Sequence, residues 1–203
     1  MPRDGTATRE RILQTAERLM TDQGYNATSV DQVIAESSSS KGGFFNHFTS
    51  KSDLARQITE RYVESDLVHL SAGLAAIADV ADAADRVVTF LRYYEESADE
   101  IMSEQSGCLY AAMLAERQFA GTDINDLVAK ATLEWRAAVV DLLRPALAER
   151  RPDLDVDVDA LADQLYTTFE GAFILSRTLQ DASAMRAQLR IYRQLVEGLL
   201  RVD

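Results

Sequence analysis

The chain has 203 residues, 47% of them apolar, with only three prolines, nine glycines and a net charge of −12. That apolar share is ample for a packed core and the scarcity of helix breakers points to an all-α protein, while the single cysteine excludes an internal disulfide framework and suits a reducing cytoplasm. No apolar run reaches eighteen residues and no export leader stands out, which argues against membrane insertion, and an isoelectric point near 4.6 lacks the basic footprint of a purely electrostatic nucleic-acid binder.

Taken in chain order, residues 8–20 read as a first helix, and Thr28 to Phe48 then compress two short helices and a tight turn into some twenty residues, the layout of a helix-turn-helix. Ser29 and Gln32 have capping-box spacing, so a helix starts there and buries Val30, Val33 and Ile34. The serines at 37–40 break it, because serine side chains compete for backbone hydrogen bonds and favour caps and turns. A second helix follows over about Ser40–His47. It holds Gly42 and Gly43, each costing roughly 1 kcal/mol against alanine in a helix interior. What such a pair offers is close approach of the backbone to a partner. With Thr28, Ser29 and Ser40, with Lys41, Phe45, Asn46 and His47 around the glycines, and with Lys51 just beyond, the segment forms a candidate DNA-reading surface.

Ser50 to Asp53 repeats the capping-box spacing and opens a helix with Leu54, Ile58, Tyr62 and Leu67 near one face, ending around Gly73. Further helices are predicted over 82–98, 108–119, 123–150, 157–179 and 184–201, with Pro145 expected to kink or end the fourth of the six near Arg144. Cys108 falls at a predicted helix start, where unpaired N–H groups favour a thiolate; the alternative is a buried, inert side chain. Alternating aspartates from Asp153 to Asp159 imitate a calcium loop but place Val158 and Gln164 where glycine and glutamate are required, so a solvated linker with Asp157 as helix cap is the better reading. His47 and His69 have no metal-ligand partner at useful spacing; His47 reads as a phosphate contact and His69 as a surface or core residue. No nucleophile with a base, no phosphate-cradling loop and no paired ligands appear, so neither enzymatic activity nor a cofactor is expected.

The run Thr8–Met20, then Gln23-Gly-Tyr-Asn-Ala-Thr-Ser-Val, then Ser40-Lys-Gly-Gly-Phe-Phe-Asn-His-Phe-Thr-Ser-Lys-Ser-Asp-Leu54 resembles the N-terminal domain of the TetR/AcrR family of bacterial transcriptional regulators. The likeness covers residues 8–56 in order and at matching separations. Two positions depart from it: Ser38 and Ser39 stand where the family usually has glycine followed by an aliphatic residue. Charge divides along the same line. Residues 1–56 hold seven Arg or Lys, Arg3 among them, and seven Asp or Glu, so the acidity belongs to the remainder. Residues 1–50 are therefore expected to be the DNA-binding domain and 51–203 the effector-binding and dimerising body.

The resemblance implies that helices of the body enclose an effector pocket, for which Phe90, Tyr94, Met102, Cys108, Tyr110, Met113, Trp135 and Phe169 are the candidate lining residues; a plain core of Met and aromatic side chains is the alternative. It also implies that the last two helices meet their copies in a second subunit. Their apolar stripes supply Leu165, Ala172, Phe173, Leu189, Tyr192 and Val196 as candidate interface residues, while one face must serve the chain's own core. A dimer makes chemical sense, since one short reading helix contacts too few base pairs to select a site. The expectation is a cytoplasmic, homodimeric repressor released from a palindromic operator by an apolar or aromatic effector. Two alternatives stay open: a repressor that senses electrophiles or oxidants through Cys108, which a similar Gly-Cys-Leu start in some family members also suggests, and an all-helical binding protein or enzyme with no DNA function.

Overall fold

The computed structural model describes residues 5–104, 107–119 and 121–201, so Arg3 lies outside the described residues. Nine α-helices and one 3-10 turn occur among them, with no strand: α1 Gly5–Gln23, α2 Val30–Glu36, α3 Lys41–Phe45, α4 Lys51–Ala75, α5 Ala83–Glu104, α6 Leu109–Leu114, the 3-10 turn Arg117–Phe119, α7 Asp123–Arg150, α8 Val158–Leu179 and α9 Ser183–Leu200. They form two compact units, one from residues 1–65 and 106–129, the other from 66–105 and 130–203. The first unit thus takes in fifteen residues past the expected boundary at 50 and also the segment that carries α6, because Leu109, Met113, Phe119 and Ile124 are buried in the same core as Ile12, Leu13, Met20, Phe44, Phe48, Leu54 and Ile58.

Local chemistry sets the ends of the reading helices. Ser29 Oγ accepts from the Gln32 amide at 3.0 Å and Ser40 Oγ from the Gly43 amide at 3.0 Å, so each short helix is capped by a serine. Between them α2 closes with two crossed bonds, Ser39 N–H to the Ile34 carbonyl (3.1 Å) and Ser38 N–H to the Ala35 carbonyl (3.2 Å). This Schellman arrangement requires a left-handed residue after the cap, and Ser38 adopts φ +51°. Glycine takes that conformation without strain, which explains why glycine is usual at this position in the resembling sequences. The reading helix is shorter than expected: five residues are helical, with Asn46 as C-cap, because two glycines add little helix propensity.

At the start of α4 Ser50 Oγ accepts from the Asp53 amide (3.0 Å), the serine cap its spacing predicts, while the Asp53 carboxylate accepts from the Thr49 amide (2.8 Å) and hydroxyl (3.1 Å) rather than from the Ser50 amide of a reciprocal capping box. α7 continues through Pro145 to Arg150, where an end or kink near Arg144 was the expectation. The predicted helix 108–119 is divided into α6 and the 3-10 turn, and Asp157 caps α8 through Oδ1 at 3.0 Å from the Ala160 amide.

In the second unit α9 packs against α5 and α8. Burial there corrects one expectation outright. Leu165, Ala172, Phe173, Leu189, Tyr192 and Val196 are all buried within a single chain, from 0% exposed at Ala172 to 7% at Phe173, and the Tyr192 hydroxyl donates to the Leu161 carbonyl at 2.8 Å. These stripes are the unit's own core. Glu95 on α5 is buried too, and accepts from Arg190 Nε at 2.8 Å and Arg193 Nε at 2.7 Å on α9, so the helix pair is locked by ions as well as by apolar packing. Gly73 on α4 lets Tyr94 of α5 approach: a Cβ there would lie 2.5 Å from the Tyr94 hydroxyl oxygen.

Candidate nucleic-acid interface

The exposed side of α3 is built from residues that the core does not use. Phe44 and Phe48 point inward and are fully buried, so the intervening Phe45 is turned out and leaves 49% of its surface exposed. Ser40, Lys41, Gly42 and Asn46 are exposed beside it, and Ser29 is exposed at the start of α2. Of the six described arginines of this unit three are ion-paired within it, Arg18 to Glu36 and Asp22, Arg61 to Glu10 and Glu17, Arg56 to Asp53 and Glu60, and two are hydrogen-bonded, Arg9 to Gln57 and Arg11 to Thr8 and the Ser37 carbonyl. Among the described residues Lys41 makes no ion pair, which leaves its charge uncompensated on this face. An aromatic ring, a free ammonium, an amide and hydroxyls exposed close together suit a groove edge lined by phosphates and base edges.

The two glycines differ. A Cβ on Gly42 would meet nothing within 4 Å, whereas one on Gly43 would lie 3.1 Å from Ser40 Oγ and 4.0 Å from Thr8 Cγ2. Gly42 therefore has no reason within the chain to lack a side chain, while Gly43 protects the helix cap and faces α1. Thr28 leaves the candidate surface altogether. It is fully buried, its hydroxyl donates to the Gly24 carbonyl at 2.9 Å and accepts from Gln23 Nε2 at 3.2 Å, and no surface remains for a ligand. His47 is half-buried against the start of α1, where a Cβ on Gly5 would lie 3.7 Å from its ring.

Lys51 is also partly withdrawn. Its ammonium stands 4.0 Å from the centroid of the Tyr25 ring, which meets Phe119 edge-on at 4.7 Å. Burial lowers the Lys51 pKa below the usual ammonium value, with Glu116 opposing the shift, and burial together with Glu116 raises that of Tyr25. Residue spacing could not have shown this, because Glu116 and Phe119 are more than sixty positions away from Lys51.

Of the eight pocket candidates, five belong to the second unit and three to the first. Phe90, Trp135 and Phe169 surround Tyr94 in the second unit at centroid distances of 5.1, 5.3 and 5.9 Å, with Tyr93 at 5.1 Å. Two polar anchors fix this cluster, the Tyr94 hydroxyl donating to the His69 carbonyl (2.9 Å) and Trp135 Nε1 to Asp66 (3.0 Å); burial, Tyr93 and Asp66 push the Tyr94 pKa up, so it stays a neutral donor. Met102 lies on α5, half-buried. Cys108, Tyr110 and Met113 belong to the first unit instead, where Met113 is a fully buried core residue and Tyr110 meets Tyr62 at 4.9 Å. Cys108 is the half-buried N-cap of α6 with its sulfur 4.0 Å from the Tyr62 hydroxyl. Since α6 is only six residues long, little helix dipole is available to activate the thiol. A groove of about 570 Å³ in the second unit is bordered by Leu74, Arg86, Asp141 and Pro145 and by none of the eight candidates.

The other sides of α8 and α9 carry four of the exposed large apolar side chains, others being Phe45, Val68, Leu114 and Leu133. Ile174 (67% exposed), Leu179, Ile191 and Leu195 (64%) face outward, and Gly171 and Gly198 have open space where a side chain would be.

Residues 12–58 match the bacterial regulatory proteins of the tetR family, and residues 83–192 match the tetracyclin repressor-like C-terminal domain. Among curated relatives, the transcriptional regulator AcuR of Cereibacter sphaeroides is 24% identical over 182 residues, 86% of this chain and 78% of its own. The HTH-type transcriptional repressor NemR of Escherichia coli is 25% identical over 146 residues, 71% of this chain and 69% of its own. A TetR transcriptional regulator from Chloroflexus aurantiacus superimposes with a TM-score of 0.74 at 26% identity, covering 96% of both chains.

Proposed function

As this chain belongs to the tetR family of bacterial regulatory proteins, we propose that it is a ligand-responsive repressor whose two copies hold a palindromic operator through the exposed faces of α3. The observation that carries this reading is the division of labour around α3: Phe44 anchors the helix while Lys41, Gly42 and Asn46 are exposed and Phe45, edge-on to Phe44 at 5.2 Å, keeps half of its surface outside. Lys41 supplies charge to a phosphate, Asn46 supplies an amide to a base edge, and Phe45 packs against the sugar or a thymine methyl. The net charge of −12 works against indiscriminate binding, so affinity rests on these few contacts in two copies.

The second copy docks on the outward faces of α8 and α9, with Ile174, Leu179, Ile191 and Leu195 as the apolar centre and Gly171 and Gly198 permitting close helix approach. Effector recognition belongs to the ring cluster around Tyr94, whose ring faces suit an aromatic or apolar molecule while the His69 carbonyl and Asp66 hold the Tyr94 hydroxyl and the Trp135 indole in place. Binding there favours a separation of the two reading helices that no longer matches half-sites about 34–36 Å apart. Selection of duplexes from a random pool by the full-length protein tests this reading. Enrichment of a palindrome with half-sites one helical turn apart is the expected result, and a pool that stays random contradicts it.

A further inference from the structure

Residues 116–119 grip the turn between α1 and α2 in a way that neither core packing nor DNA contact requires. The Glu116 carboxylate takes both donors of Asn26, the backbone N–H on Oε1 at 2.9 Å and the side-chain amide Nδ2 on Oε2 at 2.5 Å. The remaining polar atom of Asn26, Oδ1, accepts from Gln118 Nε2 at 3.2 Å. The neighbouring Tyr25 is held by the ring of Phe119 on one side and by the Lys51 ammonium on the other. Thus every polar group that Asn26 can donate from, and one it accepts through, is bound to a segment 90 positions later in the chain.

The gripped turn leads directly into the reading unit. Thr28, two residues after Asn26, is buried and ties its hydroxyl to Gly24, and Ser29 is the N-cap that starts α2. A shift at Asn26 must therefore pass into α2, and from α2 through the Ser37–Ser40 turn into α3. At its other end the gripping segment runs within a few residues into α7, the helix that carries Trp135 of the ring cluster.

We propose that Glu116 is a positioning residue for DNA reading: its two-oxygen clasp on Asn26 sets the orientation of α2 and α3, and loosening that clasp is how a change in the 107–123 segment lowers operator affinity. This rests on the repressor reading above. Because the clasp consists of hydrogen bonds from neutral donors to a carboxylate at the exposed surface, it can open without unfolding the core, whereas Met113 and Phe119 beside it stay buried. Gln118 and Phe119 keep the segment near the turn when the clasp is open, so the release is reversible.

A double-mutant cycle on the palindrome selected by the wild-type chain tests it, using Glu116→Ala, Asn26→Ala and the pair, with Glu116→Gln as the conservative variant. Each alanine variant is expected to bind the palindrome about tenfold more weakly while holding random-sequence DNA as the wild type does, and the pair is expected to be no weaker than either single variant. Glu116→Gln keeps one acceptor oxygen and is expected to recover part of the affinity. Hydrogen exchange should speed up over residues 24–30 and stay unchanged in α5 and α9. Wild-type affinity in Glu116→Ala overturns the proposal, as does an additive pair. Equal loss on palindromic and random DNA, together with a large fall in melting temperature, makes Glu116 a purely structural residue and also overturns it. Should the wild type itself select no palindrome, the repressor reading fails first, an outcome distinct from a failure confined to the variants.

Discussion

Replacing Gly42 with alanine should make the protein more stable and a poorer DNA binder at once. The position lies inside α3, and an added Cβ meets nothing within 4 Å, so the folded chain gains helix propensity without a clash. Glycine costs up to about 1 kcal/mol against alanine, less in the first turn of a short helix, so a gain of about 0.5 kcal/mol and a rise of 1–2 °C in melting temperature are expected. On DNA the sign reverses. If the methyl lifts the backbone from the groove and weakens one base contact by about 1 kcal/mol, the loss occurs in both copies and reaches about thirtyfold in Kd. Gly43→Ala is the control, since its Cβ would sit 3.1 Å from Ser40 Oγ and disturb the cap, removing any gain in stability. Thermal melting and gel-shift titration of both variants read the two quantities separately. A Gly42→Ala protein that melts higher and binds the operator within twofold of wild type would refute the argument that this glycine exists for close approach to DNA.

Ser38→Gly should stabilise the chain by about 0.5–1 kcal/mol in a denaturant titration, because φ +51° strains a side chain that glycine lacks. Ile174→Glu with Leu195→Glu should give a folded monomer by light scattering and circular dichroism, whereas Phe173→Glu should unfold the second unit, since Phe173 is buried and Ile174 is not. Glu95→Ala should cost about 1.5–3 kcal/mol by removing the carboxylate shared by Arg190 and Arg193 and leaving the poorly exposed Arg193 with Glu197 alone. Burial alone would raise the Glu95 carboxyl, but bonds from Arg190 and Arg193 outweigh it and hold its pKa below 4.5, so this contribution is present at neutral pH and is lost as pH falls below the ordinary carboxylate value; acid titrations of wild type and Glu95→Gln should diverge in that direction. Lys51→Met, which keeps the stem over Tyr25 and removes the charge, should lower the salt slope of operator binding by about one per subunit.

The helix-turn-helix was legible because its signals are local. Serine caps, the glycine pair and the alternation of Phe44, Phe45 and Phe48 act within one or two turns, and the structure keeps Ser29, Ser40, Lys41, Phe45 and Asn46 at the surface. Thr28 was not legible as a buried residue, since what buries it is the fold of the α1–α2 turn around its hydroxyl. The outward face of the last two helices was hidden for another reason. α9 carries two apolar stripes, one with Leu189, Tyr192 and Val196 and one with Ile191 and Leu195, and periodicity marks both without saying which turns inward. The division of the pocket candidates between the units was not legible either: Tyr110 and Met113 share the ring and thioether chemistry of Tyr94 and Met102, yet their segment folds into the first unit.

The central claim is that two copies of this chain grip one duplex through the exposed side of α3. Native mass spectrometry of the full-length protein with its selected palindrome measures this directly, in wild type and in Lys41→Ala with Phe45→Ala. Two chains per duplex are predicted for wild type, and for the variant a folded dimer with no duplex bound. A single chain on the palindrome, or a variant that retains the duplex, would contradict the account.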